Sequence, residues 1–275
     1  MMQDFLQKMV DSGSRFLVKK IRKTSLEMVT RAGASHIGSA LSIADILAVL
    51  YSDIMEFDPA DQDCIYRDRL ILSKGHACVS LYAVLHHVGM ISKEEILTYG
   101  QDFSNLMSHI SHKANGVEFS TGALGHGLPF GLGKAIASKV KGEKWRTFVI
   151  VGDGEMQEGS NWEAIMFAAH HNVKNLTLII DANNLQSLTS VDKTLAIEPL
   201  QQKIEAFGWE CSDIDGHDHL KIAETLSKST SKPHCVIART IKGKGVSYME
   251  NQVAWHYKCP NVEELEIALT EIDNA

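Results

Sequence analysis

The chain has no Cys-x-x-Cys pair, and its five cysteines (Cys64, Cys78, Cys211, Cys235, Cys259) are odd in number and scattered. That excludes a zinc ribbon or a disulfide framework and predicts inert reduced thiols in a reducing cytoplasm. Basic charge is also short. Lys and Arg number 27 against 34 Asp and Glu, a formal charge of −7 with no basic stripe, so nucleic acid is not an expected partner. No stretch approaches a membrane span, and no apolar core follows the opening Met-Met-Gln-Asp-Phe-Leu-Gln-Lys, so neither a membrane anchor nor a secretory signal is expected. Internal repeats, low-complexity tracts and long linkers are missing. No Gly-x-Gly-x-x-Gly joins an early strand to a helix with an acid about 20 residues on, which argues against a nicotinamide oxidoreductase. What remains, 275 residues at 44% hydrophobic and 22% charged, can bury one large α/β core or two small ones.

Periodicity predicts a helix over 11–30, with Phe16, Val18, Ile21, Leu26, Met28 and Val29 at helical spacing. A second helix is expected over 42–55, capped by Ser42 with Asp45 three residues on. Arg69-Leu-Ile-Leu-Ser73 reads as a strand that Lys74-Gly75-His76 turns into a helix reaching about 88. A short helix over 92–99 carries a capping box, Ser92 with Glu95. Residues 101–121 are polar and irregular, the kind of long loop that is usually functional. An Ala- and Gly-rich helix is expected over 122–140 and strands near 147–151, 176–180 and 235–239. A crossover helix over 161–171 would bury Trp162, Ile165, Met166 and Ala169. This alternation predicts a single α/β domain over 1–275, a doubly wound, mainly parallel sheet flanked by helices, with helical additions at both ends.

Two turns carry chemistry. Asp153 lies in Val151-Gly-Asp-Gly-Glu155 and Asn183 in Asp181-Ala-Asn-Asn184, each just after an apolar, β-branched run. Their separation of about 30 residues is that of one βαβ crossover, which sets both at the carboxyl ends of neighbouring parallel strands. A hard divalent cation wants about six oxygens. The Asp153 carboxylate, the Asn183 amide oxygen and the Leu185 carbonyl supply three, and a bound diphosphate with water supplies the rest. Gly152 and Gly154 allow a sharp turn and a close backbone approach to an anion. An ordinary turn and an ordinary strand exit are the alternative. His36, His76, His109, His126 and His256 sit in loops, often beside glycine, where an imidazole can donate to phosphate or carbonyl oxygens or move a proton. Core or surface histidines are the alternative for each. His86, His87, His170, His171, His217 and His219 carry no such context. Gly122, Gly125 and Gly127 precede a helix whose N-terminus can receive a diphosphate. A tight helix–helix contact explains Gly131 and Gly133.

Taken together, Ser35-His-Ile-Gly38, Leu72-Ser-Lys-Gly-His76, Gly116-Val-Glu-Phe-Ser-Thr-Gly-Ala-Leu-Gly125, Val151-Gly-Asp-Gly-Glu-Met-Gln-Glu-Gly159, Asp181-Ala-Asn-Asn-Leu-Gln186 and Lys242-Gly-Lys-Gly-Val-Ser-Tyr-Met-Glu-Asn251 with Trp255-His256 resemble the diphosphate-binding half of transketolase. The resemblance covers about 16–260. It implies thiamine diphosphate with Mg²⁺, or another divalent cation such as Ca²⁺ or Mn²⁺, and two-carbon ketol transfer between sugar phosphates. Asp153, Asn183 and the Leu185 carbonyl would hold the metal. Gly152, Gly154, Glu155, His76 and His256 would lie against the cofactor, with Gly122 and Leu124 as the loop over it. His36, His76, His109 and His256 would face the reaction centre, His36 and His109 holding the donor ketose. Glu158 would join a carboxylate network between two cofactor sites. Two departures bear on the substrate: His126 stands where the family usually has Gln, and Met107-Ser-His109-Ile-Ser111 replaces the commoner Gly-His-Pro.

The pyrimidine-binding and C-terminal domains of full-length transketolases are expected on a separate C-terminal subunit, in an α₂β₂ heterotetramer. A subunit of another split thiamine diphosphate enzyme, acting on 2-oxo acids, would share the Asp153/Asn183 site but has no need of histidines around a polyol. A noncatalytic interaction subunit would be under no demand to keep the metal ligands.

Overall fold

The computed structural model describes residues 13–61 and 63–275. The opening residues and the expected helix start at Asp11 lie outside that range. Five strands form one wholly parallel sheet in the order β1-β2-β3-β5-β4: β1 Arg69–Leu72, β2 Thr147–Gly152, β3 Leu176–Ala182, β4 Glu210–Asp215 and β5 His234–Arg239. The four strands β1, β2, β3 and β5 are near-continuous apolar runs because helices cover both faces. Strand β4 was not expected. Glu210-Cys-Ser-Asp-Ile-Asp215 is a half-exposed edge strand whose polar side chains hide it from a reading tuned to buried runs. In it Cys211 stands opposite Cys235 of β5, and all five cysteines are free. Among the described residues no helix is long and apolar enough to cross a membrane.

On one face pack α1 (Ser14–Ala32), α2 (Ile37–Ser42), α3 (Ala44–Val49), a π turn (Leu50–Ile54), α4 (Cys78–His87) and the short α5 (Lys93–Leu97). On the other lie α6 (Gly127–Lys141), α7 (Gly159–His170), α8 (Val191–Thr194) and α9 (Leu200–Ala206). The chain continues through α10 (His219–Leu226) and ends in α11 (Val262–Asn274). Helix α1 buries Val18, Ile21, Leu26, Met28 and Val29 as its spacing predicts, while Phe16 faces solvent. Both halves of the Ser92/Glu95 capping box form, and 101–121 holds no helix or strand.

Three expectations are corrected. The segment after the first loop becomes helical at Ile37, so Ser42 sits inside the helical run with its side chain turned to the sheet and caps nothing. Helix α7 buries Asn161, Ala164, Ile165 and Ala168, one step round from the predicted stripe, which leaves Met166 exposed and Trp162 half-buried. The turn at 122–126 is not helical; α6 starts at Gly127.

Gly131 and Gly133 also separate. A Cβ on Gly131 would overlap Val149 Cγ2, so this glycine seats α6 on β2, a helix–sheet contact. Gly133 faces open space. We expect Gly131→Ala to cost about 1–3 kcal/mol by overpacking and Gly133→Ala to add about 0.5–1 kcal/mol through helix propensity. Urea titration of the two variants checks the opposite signs.

Candidate active site at the carboxyl edge of the sheet

The β2–β3 register pairs Gly152 with Asp181. Asp153 and Asn183 follow at once, so parallel pairing alone brings both to one edge. There a cavity of about 250 Å³ opens, at the position where doubly wound sheets bind ligands. It gathers His36, His76, His109, Gly122, Leu124, Gly152, Asp153, Gly154, Glu155, Asn183, Leu185 and His256. Glu158 is not among them. It stands exposed at the start of α7, beside Gly125. His126 is likewise outside, its Nδ1 turned to the carbonyls of Ala123 and Leu124 at 3.1 Å.

The oxygens of Asp153 and Asn183 are oriented by a buried frame. Asp181 has no solvent exposure and accepts from the Lys74 ammonium, the Thr240 hydroxyl, the Ser42 hydroxyl (2.6 Å) and Asn183 Nδ2 (2.9 Å). Asn183 Nδ2 also donates to Ser42 Oγ at 3.2 Å, which fixes the carboxamide so that Oδ1 is the free end, accepting from the Leu185 N–H at 3.0 Å. Asp153 accepts from the Gly154 N–H at 2.7 Å and from the Asn184 N–H. Burial, and then the neighbouring Asp181 carboxylate, push Asp153 up to about 6. A buried carboxylate raised in this way gains most from a cation. The Leu185 carbonyl accepts from Lys242 Nζ at 3.2 Å and keeps a second lone pair. One carboxylate, one amide oxygen and one carbonyl are hard donors that suit Mg²⁺ or Ca²⁺. Among the described residues no three His, Cys, Asp or Glu side chains are placed to hold a metal, so a cation here would draw much of its shell from a bound anion and water.

Glu155 has a different task. Its carboxylate accepts from the Ser73 hydroxyl, the Gly125 N–H (2.8 Å) and the Gly152 N–H (3.2 Å), tying the ends of β1 and β2 to the glycine loop. Gly154 leaves room for Gln186: a Cβ there would come within 2.9 Å of its carboxamide. Gln186 lines the cavity, and its Nε2 is buried and without a partner.

Four imidazoles form one wall. The His36 ring lies 5.3 Å from His76, 5.5 Å from His109 and 5.0 Å from His256, and His76 lies 5.5 Å from His256. His36 adopts a left-handed backbone (φ 77°), held by its N–H donating to the His256 carbonyl at 2.8 Å, and its Nδ1 has no protein partner. Burial, then the charges of neighbouring His109 and Lys242, lower His36 to about 4. Burial, then Lys242 and His36, lower His256 to about 3. His76 is held well below the ordinary range by burial and Lys74. These three rings are neutral near pH 7.

Sequence reasoning missed Lys74 and Lys242. Both lie in quoted motifs, but a lysine in a turn reads as a surface charge. Lys242 is 1% exposed, donates to the Leu185 and Gln186 carbonyls (3.2 and 3.1 Å) and meets His256 Nδ1 at 2.9 Å. Burial, then Lys74, lower it to about 8. It makes no ion pair with a carboxylate among the described residues, although the charges of Asp181 and Asp153 reach it.

The profile of a family described as "Transketolase, thiamine diphosphate binding domain" matches residues 14–271. One subunit of the apulose-4-phosphate transketolase of Actinobacillus succinogenes is 42% identical over 258 residues, 92% of this chain and 94% of that protein. The subunit of the same name from Phocaeicola vulgatus is 39% identical, with 92% of each chain covered. Human transketolase is 34% identical over 93% of this chain but only 40% of its own length. The crystal structure of transketolase from Campylobacter jejuni superposes with a TM-score of 0.88 at 31% identity, covering 94% of this chain and 42% of that one. The chain thus spans about two fifths of the full-length proteins it matches.

The lowered histidines carry a sign. Below pH 6.5 the unfolded chain takes up protons that folded His36 and His256 refuse, so stability present above 6.5 is lost as pH falls toward 4 and then 3. Each contributes a slope of at most about 1.4 kcal/mol per pH unit, less where solvent reaches the ring. We expect a His36→Asn/His256→Gln variant to lose less stability than the parent between pH 6.5 and 4, as read by urea unfolding at stepped pH.

Proposed function

This chain belongs to the transketolase family, and we propose that it is the diphosphate-binding subunit of a transketolase. In this reading it moves a two-carbon ketol unit from a ketose phosphate to an aldose phosphate, with thiamine diphosphate and a divalent cation, in the cytoplasm. One observation carries the reading. The hard oxygens of Asp153, Asn183 and Leu185 share a cavity with Lys242, a buried ammonium that makes no carboxylate ion pair among the described residues. A bound diphosphate with its cation would suit both.

Asp153, Asn183 and the Leu185 carbonyl would hold the cation, while Gly152 and Gly154 let backbone come close to the diphosphate. Bound thiamine diphosphate would supply the electron sink for breaking and remaking the C–C bond. The protein's own groups position the sugar and move protons. Neutral imidazoles at His36, His76 and His256 can each donate one hydrogen bond and accept another, which suits a polyol, and His109 lines the same cavity. Gly122 and Leu124 form the cover over the cofactor. Glu158, exposed outside the cavity, suits contact with another subunit.

A companion chain bearing the pyrimidine-binding domain completes the enzyme in this reading, as an α₂β₂ assembly. The two apulose-4-phosphate relatives are each named as one subunit of a transketolase, which supports it. Those two subunits are named for apulose 4-phosphate. A branched ketose phosphate therefore belongs beside the ordinary pentose and hexose phosphates in a donor panel.

We expect the chain mixed with its companion to bind thiamine diphosphate only with Mg²⁺, and Asp153→Ala to weaken that binding by about 100-fold or more in calorimetry. Ketol transfer from xylulose 5-phosphate, fructose 6-phosphate or apulose 4-phosphate should require both chains. Full transfer by this chain alone contradicts the two-chain reading, and magnesium-independent cofactor binding contradicts the site.

A further inference from the structure

His217 and His219 follow the carboxyl end of β4 in Asp215-Gly-His-Asp-His219 and lie outside the cavity, yet they are not surface histidines. Both meet the carboxylate of Asp45, a buried residue of α3. His217 Nδ1 lies 2.7 Å from Asp45 Oδ2, His219 Nε2 lies 2.9 Å from Oδ1, and the Arg22 guanidinium completes the set. His217 faces the other way as well: its Nε2 accepts from the backbone N–H of Ile241 at 2.8 Å. A ring nitrogen that accepts from an amide carries no proton. Nδ1 therefore holds the hydrogen, and Asp45 is the acceptor that selects this tautomer.

Ile241 immediately precedes Lys242. Backbone bonds hold the far side of that lysine: the Gly243 N–H donates to the Gly38 carbonyl at 3.0 Å, and the Asn251 N–H donates to the Lys242 carbonyl at 2.9 Å. On the near side, the Ile241 amide is held by His217. We infer that Asp45 and His217 are positioning residues for Lys242: the buried carboxylate sets the imidazole tautomer, and the imidazole fixes the backbone that aims the ammonium into the cavity. Burial alone would raise the Asp45 carboxyl, but Arg22 and the two imidazoles outweigh it and hold it well below the usual range, so the acceptor stays ionised. Removing the Nε2 acceptor would orphan a part-buried N–H and loosen the cavity lysine that makes no carboxylate ion pair among the described residues.

The functional consequence rests on reading the cavity as a diphosphate site, so the test separates the two. The probe is inorganic pyrophosphate with MgCl₂, titrated calorimetrically into the chain, into His217→Leu and into His217→Gln, whose carboxamide oxygen can again accept from Ile241. We expect His217→Leu to weaken magnesium-dependent binding by about tenfold or more and His217→Gln to stay within about threefold. A residue that only supports the fold would lower the melting temperature and leave the affinity of folded molecules unmoved. Unchanged affinity in His217→Leu overturns the inference. ¹⁵N NMR of the parent chain decides the case where that variant does not fold. A protonated Nδ1 with Nε2 coupled to the Ile241 amide supports the tether, and a protonated Nε2 overturns it. A parent chain that binds no magnesium pyrophosphate, with the tether present by NMR, overturns the cavity reading and with it the purpose inferred for His217.

Discussion

The Asp181 carboxylate is the point on which the site depends. It sits at the end of the central strand β3 with no exposure and takes hydrogen bonds from Lys74 after β1, Ser42 in α2, Thr240 after β5 and Asn183. Removing a carboxylate from water costs several kcal/mol, and only a full set of donors offsets it. Once satisfied, the group ties together three strand ends and the helical layer above them. It also binds the Asn183 amide nitrogen, which leaves Oδ1 to the Leu185 N–H. One buried charge thus converts a generic parallel-sheet edge into an oriented ligand set.

Parallel topology does the coarse work. All five strands point their carboxyl ends the same way, so the chain after each of β1, β2, β3 and β5 arrives at one rim with a turn carrying polar residues. Loops from outside the sheet then add His36, His109 and His256 from above. The strain of His36, a left-handed residue with no glycine freedom, is held by a backbone bond to His256, so two histidines distant in sequence set each other's place.

The legible part of the site is the part written in turns after buried strands. Asp153 and Asn183 stand out because β-branched runs precede them, and parallel register then brings them to one edge. The histidines are legible only through their company, since a lone histidine beside glycine is ambiguous; their convergence is a tertiary fact. Ser42 misleads because the same hydroxyl that caps helices can bond a buried carboxylate, and local sequence does not say which is near. His217 and His219 stay hidden for the same reason: their partner, Asp45, lies in a different helix. Strand β4 escapes notice because an edge strand need not be apolar, and Met166 because a shift of one position round a helix moves the buried stripe. Lys242 is missed because a buried ammonium is costly enough that sequence alone makes it look like surface.

The charges inside the cavity divide the labour. Burial first, and then neighbouring charges that include Lys74 and Lys242, keep His36, His76 and His256 neutral, so each ring can donate one hydrogen bond and accept another. Lys74 is neutralised by Asp181 and serves structure. That leaves Lys242 as the positive group for an anion and Asp153 as the negative group for a cation, side by side. Burial raises Asp153 and lowers Lys242, each against its charged form. A cation and an anion bound there together would favour both charged forms. Either component alone would favour only one, so affinity for each should depend on the presence of the other.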